Sequence, residues 1–172
     1  MAGHETATLA ATGLVVGRFC PPHLGHDHLI EQAAAAVDRL VVYVNTRDDE
    51  PVPGELRAAW LQERHPDVRV VEIRHALPTD FGDEDLWGRW MALFRAHWPY
   101  ERGPDVVFSS EAYGSSIAAR FGARDVVVDA ERTAVPVSAT LIRNRPLEHL
   151  DYLAPPVRAW VEAWARKRPA DA

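Results

Sequence analysis

Lysine and cysteine are almost missing from these 172 residues: there is one of each, Lys167 and Cys20. Each scarcity removes a class of chemistry. A Walker-type phosphate loop needs a Gly-Lys pair, and none occurs, so a P-loop kinase is excluded. Schiff-base catalysis on a core lysine is excluded with it. A single thiol closes no intrachain disulfide and builds no cysteine-based zinc site, so Cys20 reads as a small buried filler. No apolar run approaches the roughly 20 residues of a membrane-spanning helix. Residues 1–12 lack the basic start and apolar stretch of a signal peptide. They read as a short leader, with 13–168 as one domain, 169–172 as a tail and the cytoplasm as the expected location. Basic charge is also short, with 19 Lys+Arg against 25 Asp+Glu and a formal net charge of −6. That disfavours a broad nucleic-acid surface, which needs a basic face, but it leaves room for a local cationic pocket. Repeats, linkers and low-complexity tracts are absent.

Strand and helix patterns alternate along the chain, which argues for an α/β fold with a parallel sheet. Strands are expected at Leu14–Phe19, Leu40–Val44, Val68–Ile73, Asp105–Phe108 and Asp125–Val128. Helices are expected at Asp27–Arg39, 54–64, Leu86–Trp98 and Ser115–Phe121, with a helix start at Ser138–Arg143 and a last amphipathic helix at Pro155–Arg166. Five such strands imply a Rossmann-like, doubly wound parallel sheet with a C-terminal helical segment. Ligands bind such sheets beyond the carboxyl ends of the strands, where the strand order reverses.

The segment Gly17-Arg18-Phe19-Cys20-Pro21-Pro22-His23-Leu24-Gly25-His26 lies at that edge. It follows the first strand and opens the first helix. Helix starts present free N–H groups and a positive dipole end to phosphate. Gly25 permits close approach to the backbone. His23 and His26 add two imidazoles able to donate hydrogen bonds to a phosphate whose charge is growing. The second segment of interest, Ser138-Ala139-Thr140-Leu141-Ile142-Arg143, follows the fifth strand and can return to the same edge.

This pair of motifs resembles the nucleotidylyltransferase superfamily, which carries H-x-G-H early and an S/T-x-x-x-R-type signature late. The late segment is similar to the I-S-S-T-x-x-R element of nicotinamide mononucleotide (NMN) adenylyltransferases. Further similar stretches are Thr46–Asp48, Asp85–Trp87, Phe108–Glu111 and Asp129–Thr133. The chain thus resembles the adenylyltransferase domain of bifunctional NMN adenylyltransferase/ribosylnicotinamide kinases, without the kinase half, and also the archaeal enzymes.

The resemblance implies transfer of AMP from ATP to the 5′-phosphate of NMN, with NAD and pyrophosphate as products and Mg²⁺ carried by the triphosphate. It implies His23, His26 and Arg143 as catalytic groups. Gly17, Arg18, Phe19, Gly25, Ser138 and Thr140 complete the ATP site, and Asp80, Trp87 and Arg47 form the NMN site. Trp87 matches a tryptophan that stacks on the nicotinamide ring. Glu84 departs from the archaeal pattern, which has asparagine there. Arg57 and Arg132 read either as phosphate contacts or as ion pairs. Two other readings remain open at the level of sequence: a cytidylyltransferase acting on a small phosphonate or phosphate, and a non-catalytic nucleotide sensor. Oligomeric state has no signature in the chain.

Overall fold

The computed structural model describes residues 10–168. Its centre is a pair of long parallel strands, β1 (Ala10–Gly17) and β2 (Val37–Thr46), in register from Ala10↔Val37 to Gly17↔Val44. Leu14, Val15, Val41, Val42, Tyr43 and Val44 are wholly buried, as an apolar run covered on both faces requires. Shorter strands β3 (Arg69–Arg74), β4 (Val106–Ser109) and β5 (Arg124–Val127) complete an all-parallel sheet of order β3-β2-β1-β4-β5.

Side chains alternate across the sheet, so one strand feeds two cores. Val15, Val42, Val44 and Phe108 pack with Leu29, Ile30 and Ala33 of helix α1 (Leu24–Ala36) and Leu61 of α2 (Gly54–Arg64). Leu14, Val16, Val41, Tyr43 and Val107 pack with Trp87, Met91 and Phe94 of α3 (Glu84–His97) and Ile117 and Ala118 of α4 (Tyr113–Phe121). A third cluster joins α5 (Ala139–Asn144) to α6 (Pro155–Lys167) through Ile142, Leu153, Val157 and Val161. The expected doubly wound sheet and C-terminal helical segment are therefore present.

Several boundaries shift from the sequence reading by one to four residues, and two of the shifts have a clear cause. Ala10–Thr12 belong to β1 and not to a leader. Thr12 is buried, and both its N–H and its hydroxyl donate to Asp105 Oδ2 at 2.9 Å. Small residues without alternation hid this strand, whose order comes from pairing. The same pairing ends α1 at Ala36, where Val37 turns extended (φ −133°) to meet Ala10, although Val37 continues the helical spacing. The rest of the expected leader, 1–9, and the tail, 169–172, lie outside the described residues. No described helix is long and apolar enough to cross a membrane.

Candidate active site

The strand order reverses between β1 and β4, and a cleft of about 740 Å³ opens over their carboxyl ends. That volume suits a small-molecule site. All the residues expected at the site from sequence line this cleft: Gly17, Arg18, Phe19, His23, Gly25, His26, Arg47, Asp80, Trp87, Ser138, Thr140 and Arg143. They fall into two halves.

On the β1–β4–β5 side, His23 is the N-cap of α1. Its Nδ1 accepts from the N–H of Gly25 (3.0 Å) and of His26 (3.3 Å), while His26 Nδ1 accepts from the N–H of His23 (3.1 Å). This is a reciprocal capping box made of two histidines. Both Nδ1 atoms are acceptors, so the neutral rings carry their protons on Nε2. Burial lowers the His23 pKa to about 4, with nearby Arg132 adding to the effect and Asp27 partly opposing it. Burial, then His23, then Arg132 hold His26 well below its ordinary value. Near pH 7 the site thus holds two neutral Nε2–H donors. The rings stack with centroids 3.6 Å apart, and Phe19 meets His26 edge-on at 4.7 Å.

Gly25 proves to make room for an imidazole: a Cβ there would stand 2.8 Å from His23 Cε1. Gly17 serves Phe19 in the same way, with a Cβ reaching that ring at 3.0 Å. Arg143 comes from α5 and ties the two motifs together. It donates to the Cys20 carbonyl (2.7 Å) through Nη1 and to the Thr140 hydroxyl (3.3 Å) through Nη2. Ser138 caps α5 by accepting from the Leu141 N–H at 3.2 Å, which leaves its own O–H to donate.

Arg57 and Arg132, indistinguishable in sequence, separate in space. Arg57 is fully buried, paired with Glu50 (3.0 Å) and donating to the Arg18 carbonyl (2.7 Å), so it is structural. Arg132 lines the cleft and pairs with Glu111 at 3.2 Å. Its loop is clasped by the Asp129 carboxylate, which accepts from the N–H groups of Thr133, Ala134 and Val135. Asp129 and Arg132 adopt left-handed φ of 47° and 55°, a backbone cost that the clasp offsets.

The β2–β3 side is built from loops. Arg47 is held by Asp49 (2.9 Å) and donates to the Leu77 carbonyl (3.1 Å). Asp80 is exposed and accepts from the Gly82 N–H at 2.9 Å. Trp87 differs from a free stacking platform: it is only 5% exposed. The Arg120 guanidinium covers one face at 4.2 Å, and its Nε1 donates to the Phe81 carbonyl at 3.1 Å. Glu84 pairs with Arg120 at 2.8 Å, so its charge is spent there. Phe81, 58% exposed beside Trp87 and Tyr113, presents the open aromatic surface. Sequence reasoning passed over Phe81, Asn45, Glu50 and Tyr113, because none sits in a motif or a periodic stripe that marks a site, and it gave Glu111 no role although the Phe108–Glu111 stretch ends on it.

Residues 14–145 match the cytidylyltransferase-like family. The chain belongs to that family. It is 30% identical over 168 residues to the trifunctional NAD biosynthesis/regulator protein NadR of Escherichia coli (strain K12), covering 85% of this chain and 39% of the relative. It is 36% identical over 95 residues to a probable nicotinate-nucleotide adenylyltransferase of Cereibacter sphaeroides, covering 51% of this chain and 49% of that one. A crystal structure of NadR protein in complex with NAD and AMP-PNP superposes with a TM-score of 0.59 at 23% identity, over 85% of this chain and 46% of that one. The nucleotidyltransferase fold is thus shared, and this chain spans about two-fifths of the length of the NadR relative it matches.

Proposed function

We propose that the protein transfers the AMP moiety of ATP to the 5′-phosphate of NMN, releasing pyrophosphate and forming NAD. The observation that carries this reading is the histidine capping box, which aims two neutral Nε2–H donors at the mouth of α1 beside Arg143. A phosphate monoester has its second pKa near ~6 and is mostly dianionic at neutral pH. The acceptor therefore needs no general base. Catalysis then rests on positioning and on stabilising charge in the transferring phosphoryl group and the departing pyrophosphate. His26 and His23 bind the α- and β-phosphate oxygens. Arg143, Arg132 and Arg18 supply forked cationic donors, which suit phosphate geometry. Ser138 and Thr140 add hydroxyl donors. Similarity to NadR and to a nicotinate-nucleotide adenylyltransferase supports the same chemistry. Asp80 stands at the acceptor end of the cleft, where a second carboxylate is repelled, so NMN is favoured over nicotinate mononucleotide.

Mg²⁺ would enter with the triphosphate. Among the described residues no group of three or more His, Cys, Asp or Glu is arranged to hold a metal ion, and Mg²⁺ is commonly bound by substrate phosphates with few protein ligands. It would neutralise charge on the triphosphate, while the protein's own donors orient it.

The test is pyrophosphate release with Mg²⁺, crossing ATP and CTP with NMN, nicotinate mononucleotide and a small phosphonate. Turnover with ATP and NMN is expected. Turnover only with CTP and the phosphonate would replace this reading with cytidylyl transfer. Nucleotide binding without turnover for any pair would make the protein a sensor.

A further inference from the structure

At the carboxyl end of β2 lies a buried cluster in which three side-chain atoms lack a partner: the acceptors Asn45 Oδ1 and Glu50 Oε2, both on residues that line the cleft, and the donor Arg57 Nε, on a residue that does not. Asn45 is 9% exposed and the Glu50 side chain 8%. Both belong to one cluster about the Arg57 guanidinium, which donates to Glu50 Oε1 at 3.0 Å and to the Asn45 carbonyl at 3.4 Å. Glu50 Oε1 also takes the Arg47 N–H at 2.7 Å, so that oxygen is satisfied and Oε2 is not. Arg18 Nε stands 3.6 Å from Oε2, on a side chain that is 56% exposed. Buried polar atoms left unpaired are costly and rare in native folds, so two acceptors on cleft-lining residues call for a donor from outside the chain.

The surroundings narrow that donor. Arg18 and Arg47 flank Glu50 and both face the cleft. A ligand here meets cations for an anion and, next to them, a carboxylate and an amide oxygen for hydrogen-bond donors. A phosphate ester carrying free hydroxyls a few bonds from its phosphate has that combination. A small phosphonate without hydroxyls does not. We propose that Asn45 and Glu50 form a hydroxyl-binding site for the ribose of the acceptor, and so require the acceptor to be a pentose phosphate. This inference rests on the adenylyl-transfer reading and narrows its acceptor class.

Steady-state kinetics of the whole chain with ATP and Mg²⁺ test it, comparing NMN with 2′-deoxy-NMN and 3′-deoxy-NMN. Loss of one hydroxyl is expected to lower kcat/KM at least tenfold, mostly through KM of the acceptor, with KM of ATP unchanged. In Asn45→Ala the gap between NMN and the same deoxy analogue should shrink below threefold, and thermal unfolding of that variant checks that it is folded. Equal use of all three acceptors by the natural chain would overturn the inference while leaving adenylyl transfer intact, because water alone would then satisfy the two oxygens. Failure of the natural chain to turn over NMN at all would overturn both.

Discussion

The two halves of the cleft are held by different means. On the β1–β4–β5 side most key groups are fixed by bonds within a few residues, Arg143 and Arg132 apart: the histidine box spans four positions, Ser138 caps three residues ahead, and Asp129 clasps its own loop. On the β2–β3 side local bonds such as Arg47–Asp49 and Asp80–Gly82 are joined by contacts long in sequence. Arg47 reaches Leu77, Arg120 lies on Trp87, and Glu84 holds Arg120. The first half is organised by the chain's own hydrogen bonds. The second is a wall of loops whose aromatic residue of sequence interest is largely core. Substitutions should therefore cost rate in the first half and stability in the second.

The sharpest way to break this contrast is Trp87→Ala. Trp87 packs among Leu14, Val16 and Met91, and truncating such a buried aromatic costs about 3–5 kcal/mol. Denaturant unfolding should show that loss. A variant of unchanged stability with abolished NMN use would instead make Trp87 a free stacking surface. Next in size is His23→Asn. Asparagine can still cap α1 but has no Nε2–H in place, so kcat should fall about 10²–10³-fold, the usual cost of removing one such donor, with Tm nearly unchanged. A large drop in Tm with unchanged kcat would assign His23 to folding alone.

Acid should reveal the same histidine. Its folded pKa, about 4, lies below the ordinary 6.5. The unfolded chain therefore binds more protons between those values. The contribution to stability is complete above pH 6.5 and is lost as pH falls through 4, on the order of 3 kcal/mol for a shift of this size. Unfolding free energy measured from pH 7 to pH 4 should show this slope, and His23→Asn should reduce it, leaving the part due to His26. The smallest effect is expected at Arg120→Ala, where loss of an exposed-edge cation–π contact costs about 0.5–1 kcal/mol. Urea unfolding resolves that, and a loss comparable to Trp87→Ala would mean that Arg120 holds the whole acceptor wall.

The same contrast explains what could be read from the chain. The histidine box and the Ser138–Arg143 segment were legible because their bonds are local and the spacing encodes them. That Arg143 reaches the Cys20 carbonyl, 123 residues away, follows only from both segments returning to one sheet edge. Arg57 and Arg132 look alike in sequence; burial by β2 and α2 decides one, and the strained loop decides the other. Ala10–Thr12 read as leader because small residues carry no period, and their order comes from Val37–Arg39 of β2 across the ladder. Glu84 was legible only as a departure from the archaeal asparagine, because its partner Arg120 lies 36 residues away.

The central claim is that the donor half is pre-formed with both imidazoles neutral and protonated on Nε2. Nitrogen-15 spectra of the histidine rings in the ligand-free protein at pH 7 test this most directly. The account predicts, for His23 and His26, an unprotonated Nδ1 and a protonated Nε2 at pH 7, unchanged for His23 down to about pH 5. An imidazolium on either ring at pH 7, or a proton on Nδ1, would contradict it.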